Sequence, residues 1–494
     1  MPRMPAVIDV LRTSYVGLPR PFKIAIAPAL SLLPVGLRFG RRYGSASADV
    51  RRSAVDPDWV RQTQLRSLRG LVATAWRTPF YRERFTQAFG CRFDPEGFDF
   101  AMLEQMPLLS KADVAAYAEQ MLAVPARRMA LRATSGSANS TRLRVYLDRD
   151  RSVREMAFVH SFAADIGWKL GDRRVRVDGN LFDKGRAAAL EAVTDTALRE
   201  MWLSPFRLSE TNARAHLRRI RDYNPVLVYG VPSALSVLAR CAERDGWRPG
   251  NQLRGVLTTS ETLFAHQRDL LSRAFGGAAV RSYYGLTERC AIAAEVLGKP
   301  DVFEFEPLYG LTELVGDDGD AIAEPGRAGR LISTGFLSTG MPLIRYECGD
   351  RAVLVEPPTA DRCYRLRVTR LRSRWSQEYL VGRDQELISV VNYLQDVEQA
   401  ILHDYQFVQD EPGHATLLAV LAPDAKLGEL EDLVSFQNRL TSGALRIDAR
   451  PVSEIARGAT AKAKLVDQRL ALPPLAGPLL RRPRELEAEA NPAV

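Results

Sequence analysis

Gly255-Val-Leu-Thr-Thr-Ser-Glu261 and Tyr283-Tyr-Gly-Leu-Thr-Glu288 are the two stretches that decide the fold. The first predicts a strand that ends in a turn, and residues 278–283 predict a second strand that leads into the other stretch. Between them, residues 265–275 carry apolar side chains at helical spacing, and Gly276-Gly277 ends the predicted helix. The sequence therefore predicts a β-α-β unit with polar loops at the carboxyl ends of its strands, where open α/β sheets bind ligands.

The second of these loops carries side chains that suit a nucleotide. Tyr284 offers a flat ring for stacking, and Gly285 lets the backbone approach a ligand because it has no Cβ. Thr287 can hydrogen-bond a phosphate, and Glu288 can hold Mg²⁺ beside it. For this hexapeptide alone, a strand-end turn with a solvated glutamate is the alternative interpretation.

The composition is that of a globular protein with more than one domain. The chain has 494 residues, too many for one ordinary core, and 46% of them are hydrophobic. Its net charge of +9 indicates an anionic substrate such as ATP or weak attraction to an acidic surface. The basic residues are not clustered with aromatic ones, so we predict no nucleic-acid binding. Five cysteines without a CxxC pair favour reduced thiols and a cytoplasmic location.

The N-terminal segment has a basic and apolar character. Residues 24–37 are mostly apolar, and Ala46-Ser-Ala48 resembles a signal-peptidase site. Pro28 and Pro34 interrupt the apolar run, which is also too short to span a bilayer. We therefore predict a packed helical and apolar extension over residues 1–49, with weak peripheral membrane contact as an alternative.

Two further segments predict contacts with a nucleotide. Thr134, Ser135, Gly136 and Ser137 lie between two strand-like runs, and such a loop offers N–H and O–H groups to phosphate oxygens. A polar hairpin turn is the alternative there. Asp350 ends a predicted strand, and its two oxygens can accept hydrogen bonds from both ribose hydroxyls. An Asx-type turn is the alternative for Asp350.

The predicted fold class is α/β: a large N-terminal domain with β-α-β sheets, followed by a small α+β C-terminal lid domain. Periodicity predicts helices within 50–125, with Ser110 as an N-cap, and at 150–165, 209–222, 393–404 and 427–440; strands are predicted at 226–229, 416–421 and 445–451, and residues 302–355 are predicted to be β-rich. The predicted divisions are an extension (1–49), a large ATP- and substrate-binding domain (50–381), a mobile lid (382–475) and a disordered tail (476–494).

In this order, the pieces resemble the adenylate-forming superfamily of acyl-CoA synthetases, adenylation domains and luciferases. Within it, the chain is most similar to the phenylacetate–CoA ligase and CapK branch. The likeness runs from about residue 50 to residue 470. Six segments carry it: Thr78–Phe85, Pro107–Lys111, Tyr284–Glu288, Met341–Tyr346 with Gly349-Asp350, Gly382-Arg383 and Lys462–Val466.

The resemblance implies an AMP-forming ligase that uses ATP and Mg²⁺. Such an enzyme joins a small carboxylic acid to AMP, releases pyrophosphate, and passes the acyl group to CoA, to a carrier-protein thiol or to an amine. Two alternatives stay open: an adenylyltransferase that stops at the adenylate, and a catalytically silent scaffold of the same fold. Because a carboxylate is already a nucleophile, catalysis in this class depends on positioning and charge neutralisation.

Residue roles follow from the same resemblance. It implies that Thr134, Ser135, Gly136 and Ser137 form the phosphate loop and that Ser260 and Glu261 form the adenine-pocket turn. It implies that Tyr284 stacks on adenine, Thr287 contacts the α-phosphate, Glu288 holds Mg²⁺ and Asp350 binds ribose. Arg383 matches the arginine beside the hinge, Gln385 the hinge position, and Lys462 the mobile lysine of the adenylation step.

The chain departs from the family pattern in three places. The phosphate loop continues Ala138-Asn-Ser-Thr141, where the family has Thr-Gly-x-Pro and often a lysine. Residues 294–299 lack the Cys and His of some relatives, so we predict no structural zinc. The usual glycine after Ile388 is absent, which puts a standard CoA site in doubt. In the expected acid pocket, the aromatic residues Phe158, Phe162, Trp168 and Tyr229 indicate an apolar or aromatic acid, and packing in the core is the alternative for them.

Overall fold

The structure is a computed structural model that describes most of the chain between Ile26 and Leu470. The described residues are 26–27, 29–30, 32–33, 35–133, 143–149, 151–177, 192–204, 210–260, 263, 265–372, 379–383, 387–389, 401–421, 425–441, 443–453, 455 and 466–470. The predicted loop Thr134–Ser137, Glu261, Gln385, Lys462 and the tail 476–494 therefore lie outside the described residues.

The helices gather mainly in the first half of the chain, where the sequence predicts them. They are α1 (Val35–Arg52), α2 (Pro57–Ala75), α3 (Pro79–Phe89), α4 (Phe100–Gln105), α5 (Lys111–Tyr117), α6 (Arg151–Ala164), α7 (Glu210–Tyr223), α8 (Pro232–Arg244), α9 (Ala265–Ala274) and α10 (Leu427–Thr441). Ser110 caps α5, as predicted, in a reciprocal capping box with Asp113.

One mixed sheet of twelve strands organises the larger part of the structure. The strands of the chain are β1 (Ala130–Ala133), β2 (Arg144–Leu147), β3 (Arg174–Val177), β4 (Ala192–Asp195), β5 (Glu200–Leu203), β6 (Leu227–Gly230), β7 (Gly255–Thr259), β8 (Ala279–Gly285), β9 (Ile292–Val296), β10 (Lys299–Phe305), β11 (Gly310–Val315), β12 (Ala328–Gly335), β13 (Tyr346–Glu356), β14 (Arg367–Arg372), β15 (Tyr379–Val381), β16 (Leu387–Ser389), β17 (Leu402–Glu411), β18 (His414–Leu421), β19 (Arg446–Pro451) and β20 (Val466–Gln468). The order in the large sheet is β11-β12-β13-β14-β10-β9-β8-β7-β6-β3-β5-β4.

The strand direction changes within this sheet. From β5 through β3, β6 and β7 to β8 the strands run parallel, whereas β9 pairs antiparallel with the end of β8. The predicted β-α-β unit is confirmed as β7, α9 and β8, because a buried strand, an apolar helix face and a Gly-Gly ending are all local signals. The sheet therefore presents the Tyr284 loop where parallel pairing ends.

Separate apolar cores lie on the two faces of the parallel strands. Helices α7, α8 and α9 pack on one face around Leu217, Leu238 and Leu271. Helices α1 and α6 cover the other face around Tyr43, Phe158 and related residues. A third core joins α2 and α3 to the antiparallel strands. These layers fix the strand ends that carry the site.

The C-terminal residues form a sheet of their own, in the order β19-β18-β17-β20, with α10 and a separate core. The predicted strands at 416–421 and 445–451 and the predicted helix at 427–440 are confirmed. The predicted helix at 393–404 is wrong at its end: Leu402 begins β17, where it pairs with Leu421. Cross-strand pairing there overrides a local helical pattern. The division at 381/382 stays a prediction.

The N-terminal segment is helical where the structure describes it continuously. Helix α1 contains residues 46–48, and Phe39, Tyr43 and Val50 are buried against α6 and its neighbours. Among the described residues, no helix is both long enough and apolar enough to cross a membrane.

Candidate active site

Tyr284 and Asp350, predicted separately, meet across the sheet. Tyr284 is near the end of β8, and its hydroxyl donates to Oδ2 of Asp350 on β13 at 2.6 Å. Asp350 is only 5% exposed. Burial, and after it the Asp350 charge, raises the pKa of Tyr284, so its hydroxyl stays protonated as a donor. The ring predicted to stack on adenine is thus fixed by the carboxylate predicted to bind ribose.

Glu288 is held in the same way by a tyrosine that the sequence interpretation missed. The hydroxyl of Tyr346 donates to Oε1 of Glu288 at 2.7 Å, and both side chains are buried. Tyr346 and Asp350 lie on the same buried face of β13, because side chains alternate between the two faces of a strand. The same strand therefore carries Asp350 and the tyrosine that binds Glu288. The position of Tyr346 within the Met341–Tyr346 segment was the only signal for it, and it did not indicate a partner.

The predicted phosphate loop lies outside the described residues, but the strands on either side of it are described. Strands β1 and β2 pair antiparallel, with Ala133 opposite Arg144. After β2, the Asp148 carboxylate accepts hydrogen bonds from the N–H groups of Thr339 at 2.8 Å and Gly340 at 3.2 Å. A Cβ at Gly340 would lie 2.6 Å from Asp148 Oδ1, so only glycine allows this approach. The hairpin is thereby anchored beside the Met341–Tyr346 segment.

Two other segments that carry the resemblance contact the Met341–Tyr346 segment and β13. The hydroxyl of Tyr81 donates to the carbonyl of Pro342 at 2.9 Å and accepts from the N–H of Ile344 at 3.2 Å. Leu109 forms a bridge with Tyr346 and accepts from the N–H of Glu347 at 2.9 Å. The Thr78–Phe85 and Pro107–Lys111 segments therefore support the strand that carries Tyr346 and Asp350.

The remaining predicted residues do not take part in these hydrogen-bonded pairs. Gly285 ends β8 and is exposed, and Thr287 is half-buried in the turn that follows. Ser260 ends the β7 loop with φ of 71°, a left-handed conformation that is rare for a serine. Arg383 is exposed on the C-terminal unit, where its N–H donates to Ala444 at 2.9 Å. Glu261, Gln385 and Lys462 lie outside the described residues.

The predicted acid region contains fewer free aromatic surfaces than the sequence suggested. Phe158, Phe162 and Trp168 are 5%, 2% and 3% exposed and belong to the core under α6. They therefore give no support to an apolar or aromatic acid. Tyr229 is 8% exposed and belongs to the same core, and its hydroxyl lies 2.8 Å from that of Tyr283 at the carboxyl ends of β6 and β8.

Charged side chains complete this end of the sheet. The guanidinium of Arg176 on β3 lies between two rings, 4.1 Å from the ring centre of Trp202 and 4.4 Å from that of Tyr229. Arg289, directly after Glu288, pairs with Glu155 on α6 at 2.6 Å. The area next to the Thr287-Glu288 turn is therefore polar.

The donor set at Glu288 fits a magnesium ion that is shared with phosphates. Tyr346 is a neutral donor, because burial and then the Glu288 charge raise its pKa, and so it leaves the carboxylate charge uncancelled. The neighbouring Arg289 is paired with Glu155. Mg²⁺ in nucleotide sites is held by one or two carboxylates plus substrate phosphates, and a single glutamate suffices for such a site.

Comparisons with known proteins bear on the family and the fold of the chain. No protein-family model matches the chain. CapK of Staphylococcus aureus is 21% identical over 348 residues, which cover 69% of this chain and 75% of CapK. The phenylacetate-coenzyme A ligase of Aromatoleum evansii is 26% identical over 390 residues, which cover 75% of this chain and 84% of that protein.

Among solved structures, a 2-hydroxyisobutyryl-CoA ligase with 2-HIB-AMP and CoA in the thioesterification state has a TM-score of 0.56 at 17% identity, covering 85% of this chain and 91% of that one. The chain is therefore similar to members of the adenylate-forming superfamily in sequence and in fold. The resemblance predicted from the motifs is thereby confirmed, as is the α/β fold class. The phenylacetate-coenzyme A ligase and the 2-hydroxyisobutyryl-CoA ligase are acid–thiol ligases, which is the enzyme class predicted from the sequence.

Proposed function

We propose that this protein is an ATP-dependent, AMP-forming ligase that activates a carboxylic acid and transfers its acyl group to a thiol, with CoA as the first candidate. The observation that carries the proposal is the paired arrangement at the sheet: Tyr284 with Asp350, and Tyr346 with Glu288. Two buried carboxylates held by neutral donors at a sheet's ligand-binding edge suit a ribose and a metal-bound phosphate.

In the first half-reaction, a carboxylate oxygen of the acid attacks the α-phosphorus of ATP, and the bond to the bridging oxygen of pyrophosphate breaks. Tyr284 and Asp350 orient the nucleoside, and Thr287 contacts the α-phosphate. Glu288 would hold Mg²⁺, which would supply positive charge to the phosphates. Lys462, on the C-terminal unit, steadies the charge that develops as pyrophosphate leaves.

In the second half-reaction, the thiolate attacks the acyl carbon and AMP leaves as the anion, so no oxidant or further nucleotide is needed. We propose that Arg383 and Gln385 mark the turning point of a lid over 382–475, which lets Lys462 withdraw after the first step. The separate core of the C-terminal sheet, which Leu380 joins, supports a separate C-terminal unit. A carrier-protein thiol and an amine are the other acceptors, and the cytoplasm is the proposed location.

The testing experiment is acid-dependent pyrophosphate release from Mg²⁺-ATP with a panel of aryl, fatty and hydroxy acids, followed by addition of CoA. Release with one class of acid, and AMP formation that rises on adding CoA, is the expected result. Pyrophosphate release without acyl transfer to any thiol or amine would favour an adenylyltransferase. ATP binding that never leads to release, even with every acid, would favour a silent scaffold.

A further inference from the structure

A small polar cluster lies beside the Thr287-Glu288 turn, where the acid would bind. It consists of Glu155 on α6, Arg289 after the turn, Tyr283 at the end of β8, and Tyr309 before β11. The Arg289 guanidinium and the Glu155 carboxylate are 2.6 Å apart, with side chains 35% and 16% exposed. The pair is therefore partly accessible to solvent.

Tyr309 supplies the observation that points to a ligand. It is 0% exposed, and among the described residues its hydroxyl has no hydrogen-bond partner. Its ring packs edge-on against Phe158, with ring centres 5.3 Å apart. Phe158 and Glu155 are one turn apart on α6, so the Tyr309 ring lies next to Glu155. A buried hydroxyl without a partner costs free energy unless something else satisfies it.

A second unsatisfied group lies in the same cluster. Nε of Arg289 is buried and also lacks a partner among the described residues. Burial and then the Glu155 charge raise the pKa of Tyr309, whereas the Arg289 charge lowers it. The net result is a pKa well above the ordinary value. Tyr309 therefore stays a neutral donor at working pH, facing an acceptor-only carboxylate and a donor-only guanidinium.

We propose that this cluster selects a carboxylic acid that carries a hydroxyl group. A hydroxyl can accept a hydrogen bond from Tyr309 or from Arg289 Nε while donating its own hydrogen to Glu155, and it is the smallest group that does both. An acid with only hydrocarbon at this position would leave the buried donors unsatisfied. The inference rests on the proposed function, and it names the substrate class for the same site.

The position of Arg289 makes the selection relevant to catalysis. Arg289 directly follows Glu288 in the chain and has φ of 58°, a left-handed conformation that turns the chain after the motif. A substrate whose hydroxyl binds this cluster is thereby placed next to the Thr287-Glu288 turn, where its carboxylate meets the α-phosphate. Orientation of this kind raises the rate because it holds the reacting atoms together.

The test compares matched acids that differ by one hydroxyl, such as 3-hydroxybutanoate with butanoate and 4-hydroxyphenylacetate with phenylacetate. For at least one pair, we expect kcat/KM for pyrophosphate release to favour the hydroxylated acid by about 100-fold or more, because sites built for a hydroxyl reject analogues that lack it. In Tyr309→Phe, that preference should fall to about tenfold or less, with an unchanged KM for ATP.

A matched variant separates selection from stability. Tyr309→Phe removes a hydroxyl without a partner, so its thermal midpoint should equal or exceed that of the wild type. Tyr223→Phe, on the opposite face of the sheet and half-buried on α7, should leave the preference unchanged. Glu155→Gln keeps an acceptor but adds a donor, and it should reduce the preference without abolishing it.

The outcomes distinguish this inference from the proposed function. Pyrophosphate release that is equal or faster with every hydrocarbon acid overturns the inference and leaves the function intact. An unchanged preference in Tyr309→Phe overturns the assignment to this cluster. If no acid supports release, calorimetry with acyl-sulfamoyl-adenosine pairs decides: binding at least about tenfold tighter for the hydroxylated analogue supports the inference, and equal binding overturns it.

Discussion

The hydroxyl of Tyr284 lies 2.6 Å from Oδ2 of Asp350, across the part of the sheet where parallel pairing gives way to antiparallel pairing. One residue lies near the end of β8 and the other on β13, 66 residues later in the chain. The bond orients an aromatic ring by means of a buried carboxylate. The nucleoside-binding surface that we propose is therefore organised before a ligand arrives, which lowers the entropy cost of binding.

Tyr284→Phe should weaken ATP binding without abolishing it. The phenylalanine keeps the ring but removes the hydrogen bond from the Tyr284 hydroxyl to Asp350, which costs about 1–2 kcal/mol and raises KM for ATP about tenfold. Tyr284→Leu should cost more, because stacking is lost as well. Steady-state kinetics of pyrophosphate release measures both. Equal KM values for the two variants would contradict stacking on this ring.

Tyr346→Phe should reduce the response to magnesium. Partners that orient a metal-ligating side chain typically contribute about 10- to 100-fold in metal affinity or activity. The midpoint of a Mg²⁺ titration of activity should therefore rise by about tenfold or more. Because burial and then Glu288 raise the pKa of Tyr346, the defect should be constant between about pH 7 and about pH 9. Lower stability with an unchanged Mg²⁺ midpoint would mean that the bond is only structural.

Asp148→Ala should release the hairpin that carries the phosphate loop. The carboxylate accepts two backbone N–H groups, at Thr339 and Gly340, and both lose their partner in the variant. KM for ATP should rise about tenfold, and proteolytic cleavage within residues 134–142 should become faster. Asp148→Asn keeps one acceptor oxygen and should give intermediate values. A variant with wild-type KM and faster cleavage would show that anchoring does not serve nucleotide binding.

Glu200→Gln should destabilise the protein strongly. Glu200 pairs with Arg174, with side chains 2% and 8% exposed, and Arg174 also contacts Nε2 of His160 at 2.8 Å. Removing one charge leaves the other buried and unpaired, at a cost of about 3–5 kcal/mol. Glu243→Gln is the control, because its pair with Arg273 is exposed and should contribute under about 1 kcal/mol. Urea unfolding of both variants measures the difference; equal midpoints would contradict the argument.

Local patterns were sufficient for the parts of the fold that depend on neighbours in sequence. The β7-α9-β8 unit and the cap at Ser110 followed from apolar spacing, glycines and capping chemistry. The end of the predicted helix at 393–404 failed because Leu402 pairs with Leu421, a contact that local spacing does not contain. Tertiary pairing decides such borderline segments.

The candidate site shows the same limit. Tyr284, Glu288 and Asp350 were found from their chemistry, but their tyrosine pairings join residues that are 58 and 66 positions apart. Tyr346 carries no local sign of its partner. The sequence does not separate a pocket from the core at Phe158 and Phe162, and the structure places both in the core. The pairing of Glu155 with Arg289 could not be predicted from the sequence, because the fold brings together two residues that are distant in the chain.

Lys462→Ala tests the catalytic proposal most directly. Lys462 lies outside the described residues, in the Gly458–Lys464 segment, and the resemblance matches it to the mobile lysine of the adenylation step. Removing a positive charge from the departing pyrophosphate should lower kcat for pyrophosphate release by about 10²- to 10³-fold, as expected for one electrostatic stabiliser. The thermal midpoint should stay within about 1 °C of the wild type, because the role proposed for Lys462 is electrostatic stabilisation of the reaction and not of the fold.

Lys464→Ala is the matched control for that variant, since it removes the same charge two residues away. Its pyrophosphate release should stay within about threefold of the wild type. Thiol transfer from a supplied acyl-adenylate should be nearly normal in Lys462→Ala, because that lysine serves only the first half-reaction in the proposed cycle. Equal loss of both half-reactions in Lys462→Ala would argue against a lid that changes its catalytic group between steps.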